Sequence, residues 1–156
     1  MDHPASEAKV VEVKRVTRLH CLTSDHHHAL VLSRRIREVA ARGRLDSALC
    51  ADATRRYETE LSPHFAVEED ELLPALRGGG RQDLVDRTLG EHAAIRASLA
   101  EAEAGDLRAL EQFGVLLEAH VRFEEGELFP ACEAIVGDEV LARVAHRAPK
   151  GKAPRY

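Results

Sequence analysis

His64-Phe-Ala-Val-Glu68-Glu69-Asp-Glu71-Leu72-Leu-Pro74 and His120-Val-Arg-Phe-Glu124-Glu125-Gly-Glu127-Leu128-Phe-Pro130 are one phrase written twice in a chain of 156 residues. Each copy spaces a histidine and a glutamate by four residues. On a helix that spacing puts both side chains on one face, about 6 Å apart along the axis. The flanks sharpen the reading. Phe113, Leu117, His120, Glu124, Leu128, Ala131 and Ile135 follow steps of three and four, and so, across the first copy, do Leu61, His64, Glu68, Leu72 and Ala75. Two polar groups thus sit in the middle of each apolar stripe. A carboxylate buried in its ionised form without a partner costs several kcal/mol. A cation between the helices removes that conflict.

Working outward from the phrase, the chain divides into helices. Thr23 or Ser24 is placed to cap a first helix, with Asp25 in its first turn, running to about Ala41 before Arg42-Gly43-Arg44. A second starts near Asp46 and reaches Leu76, where Gly78-Gly79-Gly80 stops it. A third spans roughly Gln82 to Ala104, and a fourth Asp106 to Val136, each closed by a glycine. Asp138 to His146 suits a short fifth helix. Four long helices on short loops predict an all-α, up-down-up-down four-helix bundle. The expected organisation is an irregular lead-in over 1–22, the bundle over 23–146 and a basic, flexible tail over 147–156. Pro63, Pro74 and Pro130 should bend or end their helices, without parting a histidine from its glutamate.

Composition agrees. Ala, Leu, Glu and Arg are abundant, aromatic residues make up 4% and tryptophan is absent, which favours helix over sheet. A net charge of −5 argues against nucleic acid as the main partner. No apolar run is long enough to span a bilayer and no signal-peptide core opens the chain, so neither membrane association nor export is expected and the cytoplasm is the expected location. Cys21, Cys50 and Cys132 are widely spaced, with no Cys-x-x-Cys pair, and read as reduced, mostly packed thiols.

The repeat extends beyond the phrase. Asp25-His26 and Glu91-His92 precede the two copies, giving the order acid-His, His-x-x-x-Glu, acid-His, His-x-x-x-Glu. Two helical hairpins paired in this way bring four histidines and two glutamates together. In the first helix His26, His27 and His28 are all candidates. The apolar direction set by Leu22, Ala29, Leu30, Ile36 and Ala40 lies closest to His26. Four imidazoles and two carboxylates suit two metal ions, each glutamate bridging and two histidines on each ion, with coordination positions left for a small ligand. Iron is expected if that ligand is dioxygen, peroxide or nitric oxide, with manganese second. Glu69 and Glu125 lie about 140° round the helix from the phrase's histidine and are assigned to solvent or to the ligands' surroundings. Glu71 or Glu127 is the candidate to accept from a ligand histidine's free N–H. His3, His20 and His146 read as surface or packing residues.

On these motifs the chain resembles the bacterial hemerythrin-like, or HHE cation-binding, domain over about residues 22–136. The resemblance implies a non-haem di-iron centre held by His26, His64, Glu68, His92, His120 and Glu124. Oxygen-carrying members have a further histidine one turn after the one matching His92, where this chain has Arg96. The pattern is thus closer to the four-histidine, two-carboxylate relatives linked to oxidative and nitrosative stress. The expected function is to bind and then reduce or disproportionate a small oxidant, with an unknown electron donor and a monomeric or weakly oligomeric state. Arg96 is considered for orienting an anionic peroxide. The alternative is a non-catalytic oxygen, nitric oxide or iron sensor, or an iron store or donor.

Overall fold

The computed structural model describes residues 19–148. Five helices follow one another: α1 (His20–Ala41), α2 (47–78), α3 (Gln82–Glu103), α4 (107–135) and α5 (Asp138–Arg147). α4 packs along both α1 and α3, and α2 lies against α3, so the first four form the expected bundle. Among the described residues no helix is long and apolar enough to cross a membrane.

Local chemistry sets the helix ends. The Asp46 carboxylate accepts from Leu49 N–H at 2.8 Å and caps α2, and Asp106 does the same for α4 through Arg108 N–H. Asp46→Ala should therefore lower the unfolding free energy by about 1 kcal/mol. Metal content should stay unchanged, as urea denaturation and metal analysis of the same sample would show. Gly80 and Gly105 close α2 and α3 with φ of 82° and 115°, where a side chain would be strained. At Gly114 a Cβ would stand 3.2 Å from Ile36 Cγ2, and Ser33 Oγ donates to the Gly114 carbonyl. Small size there lets α1 and α4 cross closely.

The start of α1 departs from the expectation. It begins at His20, inside the stretch read as an irregular lead-in, and Thr23 does not cap it. Thr23 Oγ1 instead donates back to Leu19 O at 3.2 Å. Leu19 and Leu22 are buried at 2% and 0% exposure, and their burial draws the helix a turn earlier. At the other end Arg147 and Ala148, assigned to the tail, belong to the folded body. Ala148 is buried and Arg147 pairs with Asp70 and Glu71. The rest of the lead-in and of the tail lies outside the described residues.

The prolines neither break nor end their helices. Ser62 N–H donates to Tyr57 O, Leu73 N–H to Glu68 O and Phe129 N–H to Glu124 O, each five residues back rather than four. These π turns, Tyr57–Leu61, Glu68–Leu72 and Glu124–Leu128, end just before Pro63, Pro74 and Pro130 respectively. In a regular helix a proline ring meets the carbonyl four residues back and supplies no donor. A turn widened by one residue moves that carbonyl aside where the ladder already lacks a donor.

The widened turns also rotate everything downstream by about 100°. Beyond Glu124 the buried positions are Leu128, Phe129, Cys132 and Val136, while Ile135 is 37% exposed. Beyond Glu68 they are Leu72, Leu73 and Leu76, with Ala75 only half-buried. Ile135, Ala131 and Ala75, assigned to the stripes by regular steps, are displaced for this reason.

The histidine–glutamate layer divides the core in two. One apolar cluster, holding Leu22, Leu76, Phe129, Cys132 and Val144, is closed by α5; the other holds Ile36, Phe65, Ile95, Phe113 and Leu117.

Candidate metal centre

Four helices each bring one histidine to the layer between those clusters: His26 from α1, His64 from α2, His92 from α3 and His120 from α4. Glu68 and Glu124 stand one helical turn after His64 and His120. All six are at most 3% exposed. His26 is the member of the histidine run that faces inward, whereas His27 is exposed and His28 half-buried.

The donor atoms form two groups, His26, His64, Glu68 and Glu124, and Glu68, His92, His120 and Glu124, within each of which they lie within 4.8 Å of one another. Each hairpin supplies one pair of histidines, and both groups share the same two carboxylates. His26 Nε2 lies 2.9 Å from Glu124 Oε1, His64 Nε2 3.2 Å from Glu68 Oε2, His92 Nε2 3.2 Å from Glu68 Oε1 and His120 Nε2 3.4 Å from Glu124 Oε1.

The outer ring nitrogens follow an equally regular pattern. Nδ1–H of His64 donates to Asp25 at 3.0 Å and that of His120 to Glu91 at 2.7 Å, each within a hairpin. Nδ1–H of His26 donates to Glu125 at 3.3 Å and that of His92 to Glu69 at 2.8 Å, each across to the other hairpin. An ionised carboxylate only accepts, so the imidazole must donate. The acidic residues before His26 and His92 and those after Glu68 and Glu124 thus all orient a ring.

Two assignments made from the sequence are corrected here. Glu71 and Glu127 do not reach a ligand histidine. The extra residue of the π turn carries them outward, Glu71 to Arg143 and Arg147 and Glu127 to Arg87. Arg96 does not face the layer. Its Nε donates to Tyr57 OH at 2.8 Å and its Nη2 to Glu69 at 2.9 Å, outside the ring of histidines. His20 and His146 are exposed and His3 lies outside the described residues. The three cysteines are free thiols, Cys50 and Cys132 buried. Burial and the nearby Glu68 and Glu124 charges push the Cys132 thiol well up, so it stays protonated.

With Nδ1 donating outward, a neutral ring presents an unprotonated Nε2 to a carboxylate oxygen, lone pair against lone pair. Glu68 Oε1 and Oε2, Glu124 Oε2, His92 Nε2 and His120 Nε2 are buried and have no hydrogen-bond partner. Such a cluster needs positive charge at its centre. In the chain alone protons supply it. Burial opposes the charged imidazole, but the Glu68 charge and the hydrogen bonds that the ring donates to Asp25 and Glu124 raise His64 well above the ordinary range. His120 is likewise raised to about 10, burial being outweighed by Glu124 and Glu91. Glu124 is held well below its ordinary range, its burial outweighed by the charge on His120 and by the hydrogen bond that it accepts from His26.

The sign of the pH effect follows. A raised histidine contributes stability fully present below its unfolded value of 6.5 and lost as pH rises towards about 10. The depressed Glu124 contributes stability present above 4.5 and lost as pH falls through its folded value. The metal-free chain should therefore be most stable between these limits. It should weaken by on the order of 4 kcal/mol from pH 6.5 to 10. Urea midpoints across that range would show it, and bound metal should flatten the slope.

Nitrogen and oxygen donors in this ratio, with no thiolate among them, fit a divalent transition metal rather than a structural zinc site. The family model for the hemerythrin HHE cation binding domain matches residues 17–132, taking in all six inward-facing residues. Neither a curated protein nor a solved structure matches the chain. A helical bundle with paired, buried His/Glu clusters and a family match over most of its length lead to one assignment: the chain belongs to the hemerythrin HHE cation-binding domain family.

Proposed function

We propose that this chain is a non-haem di-iron protein that takes up a small oxidant, peroxide, nitric oxide or dioxygen, and reduces or disproportionates it. The observation that carries this reading is the set of five buried, unpartnered polar atoms converging from three helices on one layer. In this reading His26 and His64 would hold one iron and His92 and His120 the other, with Glu68 and Glu124 available to both. Iron there supplies one-electron chemistry and a Lewis-acid position open to a small ligand.

The chain's own residues do the rest. Asp25, Glu69, Glu91 and Glu125 fix each ring and its tautomer. Phe65 lies flat on His92 with ring centres 3.8 Å apart, and Phe129 on His26 at 5.2 Å, and both keep water off those faces. Close apolar packing on both sides of the layer favours a ligand of few atoms. Two cavities among the described residues, of about 560 and 460 Å³, lie elsewhere, beside Cys50 and Thr54 and beside Arg37 and Glu118. Reducing equivalents come from a separate donor.

Metal analysis of the purified protein should give about two irons per chain, and the oxidised form should absorb in the near ultraviolet. Peroxide consumption by the iron-loaded protein should disappear in Glu124→Ala. Turnover equal to wild type in that variant, or zinc in place of iron, would overturn the reading.

A further inference from the structure

The two halves of the centre repeat each other in their ligands but not in what stands behind them. On the His92/His120 side both supporting carboxylates are shared with arginines. Glu69 Oε2 accepts from His92 Nδ1 at 2.8 Å and, on the same oxygen, from Arg96 Nη2 at 2.9 Å. Glu91 accepts from His120 Nδ1 through Oε1 at 2.7 Å and from Arg87 Nε through Oε2 at 2.9 Å. Both arginines are held in place. Arg87 lies 4.0 Å above the Phe123 ring and also reaches Glu127, and Arg96 is tied to Tyr57 OH.

On the His26/His64 side the supports are Asp25 and Glu125. Among the described residues no arginine or lysine pairs with either. Asp25 is also well shielded from water, its side chain 10% exposed. Among the described residues, then, two carboxylates without a cationic partner back this pair, shielded Asp25 and the more exposed Glu125. Behind the other pair, Glu69, Glu91 and Glu127 are offset by Arg87 and Arg96, leaving one net negative charge.

A carboxylate behind an imidazole makes the ring a stronger donor to a metal, and a guanidinium on the same carboxylate withdraws that effect. We propose that the position between His26 and His64 takes the first cation and the position between His92 and His120 the second. Arg87 and Arg96 are the positioning residues that set this order, acting through Glu91 and Glu69. The inference rests on the metal-centre reading above and adds an order of filling to it.

A gap between two binding steps is not sufficient evidence, because two neighbouring cations repel each other in any such site. The test must read where the first ion sits. Cobalt(II) is added to the metal-free full chain, and the paramagnetically shifted imidazole N–H signals are followed by proton NMR. At one equivalent the signals should be those that move in Asp25→Asn and stay put in Glu91→Gln. The Glu91-sensitive signals should appear only with the second equivalent. Removing both guanidinium charges in Arg87→Gln/Arg96→Gln should reduce the preference by about tenfold or more, so that both sets appear together or in the opposite order. Arg87→Lys/Arg96→Lys, which keeps the charges, should restore the order, a rescue that loss of packing alone would not produce.

In wild type, Glu91-sensitive signals first or both sets together, or an unchanged order in the glutamine variant, would each overturn the proposal while leaving the metal centre intact. Failure to bind any cobalt would overturn both.

Discussion

Stripping the metal from the loaded protein should lower its melting temperature by about 15 °C. An ion present at a thousand times its dissociation constant stabilises the folded state by about 4 kcal/mol, and two ions contribute more. For a chain of this size each kcal/mol moves the melting temperature by roughly 2–4 °C. The protons that His64 and His120 hold in the metal-free chain offset part of the loss, because they already oppose the Glu68 and Glu124 charges. The same logic separates Glu68 and Glu124 from ordinary core positions. Glu68→Gln/Glu124→Gln keeps the shape but removes both negative charges, and the metal-dependent shift should vanish. Calorimetry with and without chelator, on both proteins, checks this. A shift of equal size in the variant would show that the ions sit elsewhere.

Deleting Gly126 should lower the melting temperature by about 10 °C for a different reason. Its position on the π turn Glu124–Leu128 is exposed, and nothing lies within 4 Å of where its Cβ would stand, so removing it costs no contact. What it removes is the extra residue. The downstream residues keep their faces, because Phe129 then stands four residues after Glu124 in a regular helix, where it now stands five after it across the widened turn. Phe129, Cys132 and Val136 therefore stay in the core. Pro130, however, meets the carbonyl four residues back, at a cost of about 3 kcal/mol. Circular dichroism should show retained helix content with a melting temperature lower by about 10 °C. Unchanged melting would mean that the π turn is not what accommodates Pro130.

That turn is also where reading from the sequence stopped short. Helix ends were legible because Asp46, Asp106, Gly80 and Gly105 act through bonds a few residues long. The six inward residues were legible because a four-residue step and an apolar stripe are properties of one helix. The prolines after Glu68 and Glu124 signalled an irregularity, but a rule for regular helices reads a proline as a bend or a stop. The register shift at Ile135 and Ala75 was lost with it.

The partners of the histidines failed for another reason. Angle counting along α2 asks which glutamate lies near His64, and Glu69 is far round the helix from it. Glu69 serves His92 on another helix, as Glu125 serves His26. Contacts of that kind depend on how two hairpins meet, which no spacing within one segment reports. Arg96 was misplaced likewise, since its partners Tyr57 and Glu69 come from α2.

The crosswise hold of Glu69 on His92 and of Glu125 on His26 has a kinetic consequence. Each half of the molecule keeps only one of its two rings aimed once the seam between the halves opens. Escape of an ion and parting of the halves then become a single event, so exchange with outside metal would follow the slow breathing of the whole bundle rather than the strength of any one bond.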